Sequence, residues 1–154
     1  MRRILILLII PFFVACGNKT LIDETHTFDN DCWLRFEPET YKFDVADTER
    51  SHAVCVTLHY DTSRVMLDNL PLVVDFFADS NELHNITASI RIRDIKGNRR
   101  GETIGQYCIV SDTIDHHRTF NRKGQFTYRI KQGTSKYELY GVTSLNFKVT
   151  ESKY

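Results

Sequence analysis

Apolar and polar residues alternate along most of the chain beyond residue 40. In one clear case, Val54, Val56 and Leu58 alternate with Cys55 and Thr57. Successive side chains of a strand point to opposite faces of a sheet, so a period of two predicts strands with one dry and one wet face, as in antiparallel sheets. The same alternation recurs in residues 41–45, 86–93, 126–131 and 145–150.

Turn-forming residues separate these segments, among them Lys96-Gly97-Asn98, Lys123-Gly124 and Gln132-Gly133. No segment has a helical period. The pattern therefore predicts an all-β fold, a single antiparallel two-sheet sandwich that is immunoglobulin-like or jelly-roll-like, over residues 31–154. Its predicted core consists of Val54, Val56, Leu58, Val74, Phe76, Ile86, Ile90, Phe126, Tyr128, Ile130, Leu145 and Phe147.

The amino terminus has the features of a bacterial lipoprotein signal peptide. Arg2 and Arg3 precede an almost unbroken apolar run, residues 4–14, which is about half the ~20 residues that a membrane-spanning helix needs. Val14-Ala15-Cys16-Gly17 then resembles a lipobox, which implies cleavage before Cys16 and a lipid on its sulfur. We predict a signal peptide over residues 1–15 and a lipidated polar tether over residues 16–30.

Composition excludes some classes of function. The chain has 20 basic and 20 acidic residues, and removal of Arg2 and Arg3 with the signal peptide leaves 18 against 20, so nothing predicts nucleic-acid binding. Three cysteines follow Cys16. Export to an oxidising compartment allows one disulfide, for which we favour Cys55 with Cys108, both expected on the more polar faces of their strands. Cys32, in register with Leu34 and Phe36, is expected to be a buried thiol.

The sequence singles out no catalytic or metal-binding group. His116 and His117 are adjacent, so in a strand they point to opposite faces and do not chelate one metal ion. Ser111, Asp112, Asp115 and His116 lack the sequence context of a nucleophile elbow. The glycines at 97, 101 and 105 lack the strand–helix setting of a phosphate-binding loop, which favours turn glycines with positive φ. We therefore predict no enzyme activity, no metal and no cofactor.

Several motifs resemble one family of lipoproteins. Beyond the lipobox, the chain has Tyr41-Lys42-Phe43-Asp44-Val45 and the glycine-spaced segment 94–105. It then has Lys123-Gly124-x-Phe126-Thr127-Tyr128-x-Ile130-x-Gln132 and Leu139-x-Gly141-Val142-x-x-Leu145-x-Phe147-x-Val149. This order is similar to that of the gliding-motility lipoprotein GldH family of Bacteroidetes. The resemblance implies a non-enzymatic envelope component of the machinery for gliding and associated protein secretion, with other envelope proteins as partners.

The residues also suggest where a partner binds. The segment from Asp94 to Gln106 is long for a strand connection, and nothing nearby in sequence neutralises its Arg99 and Arg100, so we predict a partner-binding loop. Trp33 is expected on the wetter face of its strand. With Tyr107, Tyr137 and Tyr140 it would form a stacking platform, and this supports an alternative, a glycan-binding outer-membrane lipoprotein of a polysaccharide-uptake system. A small periplasmic hydrolase is a third possibility.

Two features bear on localisation. The lipid on Cys16 predicts attachment to a membrane. The residues directly after Cys16 lack the acidic run that resembles a surface-export signal in this phylum. We therefore expect a lipid-anchored protein on the periplasmic side of the outer membrane.

Overall fold

The computed structural model describes residues 19–79 and 81–152, with the backbone alone at residues 82 and 83, and these residues form an antiparallel all-β fold. Apart from one 3-10 turn at Asp29–Asp31, every regular element is a strand. The strands are β1 (Thr20–Thr27), β2 (Cys32–Leu34), β3 (Glu39–Val45), β4 (Ser51–Asp61), β5 (Asn69–Ala78), β6 (Asn81–Arg91), β7 (Glu102–Ile104), β8 (Tyr107–Thr119), β9 (Gly124–Gln132), β10 (Glu138–Tyr140) and β11 (Val142–Glu151).

The strands are arranged in three sheets. A five-stranded sheet has the order β1-β11-β4-β8-β7, and a four-stranded sheet has the order β3-β9-β5-β6. The short strands β10 and β2 pair only with each other and form a third sheet. The prediction of an all-β antiparallel fold is confirmed, whereas the third sheet was not anticipated.

Aromatic side chains join the two larger sheets. Tyr41 of β3 donates a hydrogen bond from its hydroxyl to the carbonyl of Leu145 at 3.2 Å, and its ring stacks on Phe147 of β11 at 4.7 Å between centroids. Tyr128 of β9 lies 5.0 Å from the same phenylalanine ring. Large buried aromatics contribute much of the apolar burial in a core, so these contacts hold the sheets together.

The predicted core is confirmed almost throughout. Eleven of its twelve residues are buried, and the twelfth, Ile86, is half-buried on the outer strand β6. The alternating segments β4, β9 and β11 therefore have the predicted register, and Arg91 and Arg129 point outward as expected. The predicted positive φ of Gly97, Gly101 and Gly105 is also confirmed.

The predicted tether is wrong over most of its length. Residues 20–27 form β1, which pairs with β11 along the edge of the five-stranded sheet. β1 lies at an edge of the sheet and is largely polar on both faces. Its sequence therefore lacks the alternation of apolar and polar residues that would have predicted a strand. Only residues 16–19 remain as a connection to the predicted lipid site, and Cys16 and the signal peptide lie outside the described residues.

The predicted disulfide between Cys55 and Cys108 is also wrong. The sulfur atoms of Cys32, Cys55 and Cys108 are all free. Cys55 lies opposite Thr113, and Cys108 lies five positions before Thr113 along β8, roughly 17 Å away, whereas a disulfide needs Cα atoms within about 7 Å. Cys108 is fully buried on the core face rather than on the polar face, and Cys32 is half-buried.

The fold formed by the two larger sheets has two distinct ends, to which we refer below. At the tether end lie Thr20, Ser51, Gly124 and Glu151, where β1, β4 and β9 begin and β11 finishes. At the far end β1 finishes and β11 begins. The far end also carries the β2–β10 sheet, the segment 92–106 and the turn that follows Asp61.

Candidate functional site

The predicted partner-binding loop lies at the far end and is well ordered. Asp94 closes its first turn, because the Oδ1 atom of that residue accepts hydrogen bonds from the backbone N–H groups of Lys96 at 2.8 Å and Asn98 at 2.9 Å. A β-bridge joins Arg93 to Arg99, and the segment continues as β7, which pairs with β8. A loop that presents side chains from such a frame is a reasonable binding element.

Gly101 allows this segment to pack closely on β8. It has a φ of +86°, and a Cβ atom added there would lie 2.1 Å from the carbonyl oxygen of Ile109. Only glycine combines this left-handed conformation with so close an approach of two backbones. The glycine spacing seen in the sequence therefore serves backbone geometry rather than phosphate binding.

The two arginines of the predicted binding loop have different environments. Arg100 is 29% exposed at its side chain, and its Nη1 atom lies 3.0 Å from Oδ2 of Asp112 and 2.8 Å from the carbonyl oxygen of Arg91. A carboxylate that is distant in sequence therefore neutralises Arg100, because β8 brings Asp112 to it from twelve residues away. Arg99 is exposed at the surface of the segment.

Asp112 has a role that the sequence did not indicate. It also accepts hydrogen bonds from Nε and Nη2 of Arg91, both at 3.1 Å, and so connects β6 of one sheet with β8 of the other. Burial alone would raise the pKa of this carboxyl, but the hydrogen bonds from Arg91 and Arg100 outweigh burial and lower the pKa to about 2. Asp112 is therefore ionised at neutral pH and holds the two arginines in place.

Trp33 does not form the predicted stacking platform. Its side chain is fully buried and stacks on Phe28 with 5.0 Å between ring centroids, so the predicted register of β2 is wrong. Its indole N–H has no hydrogen-bond partner among the described residues. β2 has only three residues, all apolar, so alternation within it did not indicate which face is buried.

An exposed aromatic group lies beside Trp33 instead. Phe36 is 69% exposed in the turn after β2, and its ring lies 5.9 Å from that of Tyr137, which is 57% exposed. The guanidinium carbon of Arg35 lies 5.6 Å from the Phe36 ring centre. Of the predicted platform, Tyr137 and Tyr140 are thus exposed at the far end, whereas Tyr107 lies apart from them on β8 and is half-buried.

A cleft of about 390 Å³ has Tyr140 in its lining, and Glu37 and Glu138, which directly follow Phe36 and Tyr137 in the chain, also line it. Phe36 itself lines a separate depression with Arg35 and Lys131. The lining of the cleft includes the carboxylates of Asp29, Glu37, Glu39 and Glu138, together with Trp33 and Tyr140, and no Lys or Arg lines it. Burial, with the charge of Glu138, raises the pKa of the Cys32 thiol, and a hydrogen bond to Glu138 raises the pKa of Tyr140. The cleft is therefore an acidic environment.

A histidine at the edge of the cleft is held by two carboxylates. His26 contacts Glu39 through Nδ1 and lies 3.2 Å from Glu24 through Nε2. Burial lowers the pKa of His26, but the hydrogen bonds to Glu39 and Glu24 outweigh burial and raise the pKa. His26 is thus paired with Glu39 and Glu24 at one side of the cleft, while Asp29, Glu37 and Glu138 are exposed.

The residues that the sequence raised as candidates for chemistry do not form a metal-binding cluster among the described residues. Within residues 19–79 and 81–152, no group of three or more His, Cys, Asp or Glu side chains is placed to hold a metal ion. The hydroxyl of Ser111 pairs with that of Thr57 at 2.8 Å on an outer face of the sheet. The rings of His116 and His117 are 6.5 Å apart on the exposed part of β8.

Comparison with known families decides the relationship. The sequence model of the GldH lipoprotein family matches residues 20–149, which are 130 of the 154 residues. The chain belongs to the GldH lipoprotein family. The match begins at the first residue of β1 and ends within β11, so the GldH lipoprotein domain includes the strand that the sequence pattern missed.

Membership of a lipoprotein family implies anchoring to a membrane by a lipid. In the part of the chain that the structure describes, no helix has the length and apolar character needed to cross a bilayer. A comparison of this GldH-family chain with curated proteins found no match.

Proposed function

We propose that this lipoprotein is a non-enzymatic component of the envelope machinery for gliding motility and associated protein secretion. A lipid on Cys16 holds it on the periplasmic face of the outer membrane. The observation that carries this proposal is the family match, which spans the whole sandwich. A protein partner binds the exposed surface of the segment 94–106, where Arg99 offers a free-standing guanidinium for hydrogen bonds to a partner's carboxylates.

The strand order favours a jelly roll over an immunoglobulin-like sandwich. Without the short strands β2, β7 and β10, eight strands remain, and in chain order they form sheets 1-8-3-6 and 2-7-4-5. Successive strands therefore alternate between sheets except at one hairpin, an arrangement that two Greek keys produce. Such a fold is compatible with many functions, so the functional argument depends on the surface and the family.

The alternative of a glycan-binding lipoprotein has lost its main support. It depended on Trp33 as an exposed platform, and that side chain lies in the core.

The arrangement of Arg100 determines which variant best tests binding by the segment 94–106. Replacing Arg100 would disturb the ion pair with Asp112 and confuse a binding effect with a structural one.

Affinity capture of the full-length chain from envelope fractions tests the proposal. We expect wild-type protein to carry an acyl label and to recover envelope proteins, and Cys16→Ser to lose the label and accumulate as an unprocessed precursor. Arg99→Ala should lower recovery several-fold, because an arginine within an interface often contributes more than 1 kcal/mol. Lys123→Ala, an exposed cation at the tether end, is the matched control.

Three results would contradict the proposal. Normal processing and membrane retention of Cys16→Ser would exclude lipidation at that cysteine. Equal recovery from Arg99→Ala and Lys123→Ala would remove the segment 94–106 from the binding surface. A hydrolytic activity lost on replacing a single His or Asp would exclude a purely structural role.

A further inference from the structure

Large apolar side chains are exposed at only one end of the described sandwich. Single exposed apolar residues are common on proteins, whereas their grouping on one face is informative because it marks interaction surfaces. Phe36, Tyr137 and Tyr140 surround the β2–β10 sheet, and the others lie in the turn after β4, in the segment 92–101 and in β7. The full set is Phe36, Met66, Ile95, Ile104, Tyr137 and Tyr140, all at the far end.

The tether end is different in chemistry. Its turns carry charged side chains, including Asp47, Glu49, Arg50, Asp79 and Arg122, several of which pair with one another. None of the described large apolar side chains exposed to solvent lies there. The contrast between the ends therefore does not reflect a generally apolar surface.

The position of the proposed lipid site indicates which end of the domain lies near the membrane. Cys16 precedes Thr20 by four residues, and four residues reach at most about 14 Å. β4, with 11 residues, spans roughly 35 Å from the tether end to the far end. An anchor on Cys16, which is part of the proposed function on which this inference rests, thus keeps the tether end near the membrane. The far end is then presented away from that membrane, toward proteins of the periplasm.

The cleft beside the exposed aromatics indicates the chemistry of what binds there. Glu37 and Glu138 are exposed carboxylates at its margin, Asp29 adds a third, and no Lys or Arg lines the cleft itself. Arg35 and Lys131 lie with Phe36 in a separate depression, where Lys131 pairs with Asp75 at 3.0 Å. A basic side chain would complement the carboxylates of the cleft, while apolar neighbours of that side chain would cover the rings of Phe36 and Tyr137. A lipid surface with anionic headgroups would be repelled by the same carboxylates.

We propose that the aromatic pair Phe36–Tyr137 and the adjoining acidic cleft form the docking site for a protein partner that presents a Lys or Arg flanked by apolar residues. The aromatic pair supplies the apolar contact area. The carboxylates of Glu37 and Glu138 favour a positively charged side chain on the partner. The site lies at the same end as the segment 94–106, so one partner seated across the far end reaches both.

Site-specific photo-crosslinking in the full-length chain tests this proposal. p-Benzoylphenylalanine replaces Tyr137 in one chain and Asn121, an exposed position at the tether end, in the control. We expect a protein crosslink from position 137 that exceeds the control at least fivefold, to a segment of the partner that contains Lys or Arg. A crosslink predominantly from position 121, to lipid, to a second copy of this chain, or to a segment without a basic residue would overturn the proposal.

A charge series provides the second measurement. The double variant Glu37→Lys with Glu138→Lys should reduce the position-137 crosslink about tenfold or more, whereas Glu37→Gln with Glu138→Gln should reduce it less. Equal crosslinking in all three chains would exclude charge recognition by the cleft.

If wild-type chain captures envelope proteins while position 137 crosslinks to none of them, this inference fails and the proposed function stands. If wild-type chain captures no envelope protein, both fail.

Discussion

Two groups of aromatic side chains in this protein have the same chemistry and opposite surroundings. Tyr41, Tyr128 and Phe147 lie between the two larger sheets with ring centroids 4.7 to 5.0 Å apart, and water does not reach them. Phe36 and Tyr137 also contact each other, at 5.9 Å, but both are more than half exposed. The interior group stabilises the fold, whereas the far-end group contributes little to stability and is available to a partner.

Removing an interior ring should have the largest effect on stability. We expect Phe147→Ala to lower the free energy of unfolding by about 3–5 kcal/mol, because the loss of its buried surface and the cavity left between the sheets both destabilise the fold. Urea denaturation followed through the fluorescence of Trp33, the one tryptophan in the chain, measures the change. A loss below ~1 kcal/mol would mean that these rings do not hold the sheets together.

The ion-paired carboxylate at the far end should have an intermediate effect. Asp112→Asn weakens the hydrogen bonds to Arg91 and Arg100 across the sheets, and we expect a loss of about 2 kcal/mol. Asp44→Asn, at an exposed position of β3, is the matched control and should change stability by less than about 0.5 kcal/mol.

The pH dependence of that difference gives a sharper test. The folded pKa of Asp112, about 2, lies below the ordinary value near 4, so its contribution is fully present above pH ~4 and is lost as the pH falls toward 2. The stability difference between wild type and Asp112→Asn should therefore shrink over that window. A difference that stays constant from pH 6 to pH 2.5 would show that the charge of Asp112 is not what stabilises the fold.

The exposed aromatics should have the smallest effect on stability. We expect Phe36→Ser with Tyr137→Ser to change the free energy of unfolding by less than about 0.5 kcal/mol, since neither side chain fills the core. The same variant should recover envelope partners less well than wild type. If it instead lost more than ~2 kcal/mol, the far-end pair would be structural, and the contrast with the interior rings would disappear.

The long strands were predicted well because each has enough alternating positions to show which of its faces is buried. In β4, β9 and β11 apolar and polar residues alternate over at least six consecutive positions, so one face is unambiguously apolar. Prediction from the alternation failed for β1, which lies at an edge and is polar on both faces. It also failed for β2, whose three residues are all apolar. Burial in such short or peripheral strands is decided by their neighbours rather than by their own pattern.

The candidate site was predictable only in part, for a related reason. The long glycine-spaced segment and Arg99 were visible in the sequence, but the pairing of Arg100 with Asp112 depends on the β7–β8 register. Phe36 was expected to continue the alternation of β2, yet a turn follows Leu34 and leaves its ring in solvent. Glu37 and Glu138 are 101 positions apart, and only the pairing of β2 with β10 brings them to one cleft.

The edge position of β1 has a mechanical consequence. The predicted anchor pulls on the chain at Thr20, and a partner at the far end pulls in the opposite direction, along the strand axis. β1 and β11 pair antiparallel from Thr20 with Thr150 to Thr27 with Ser144, so their hydrogen bonds lie across this line of force. With the proposed anchor and partner in place, tension would load the hydrogen bonds of the β1–β11 ladder together in shear instead of opening them one after another. β1 would then transmit force between the membrane and the partner.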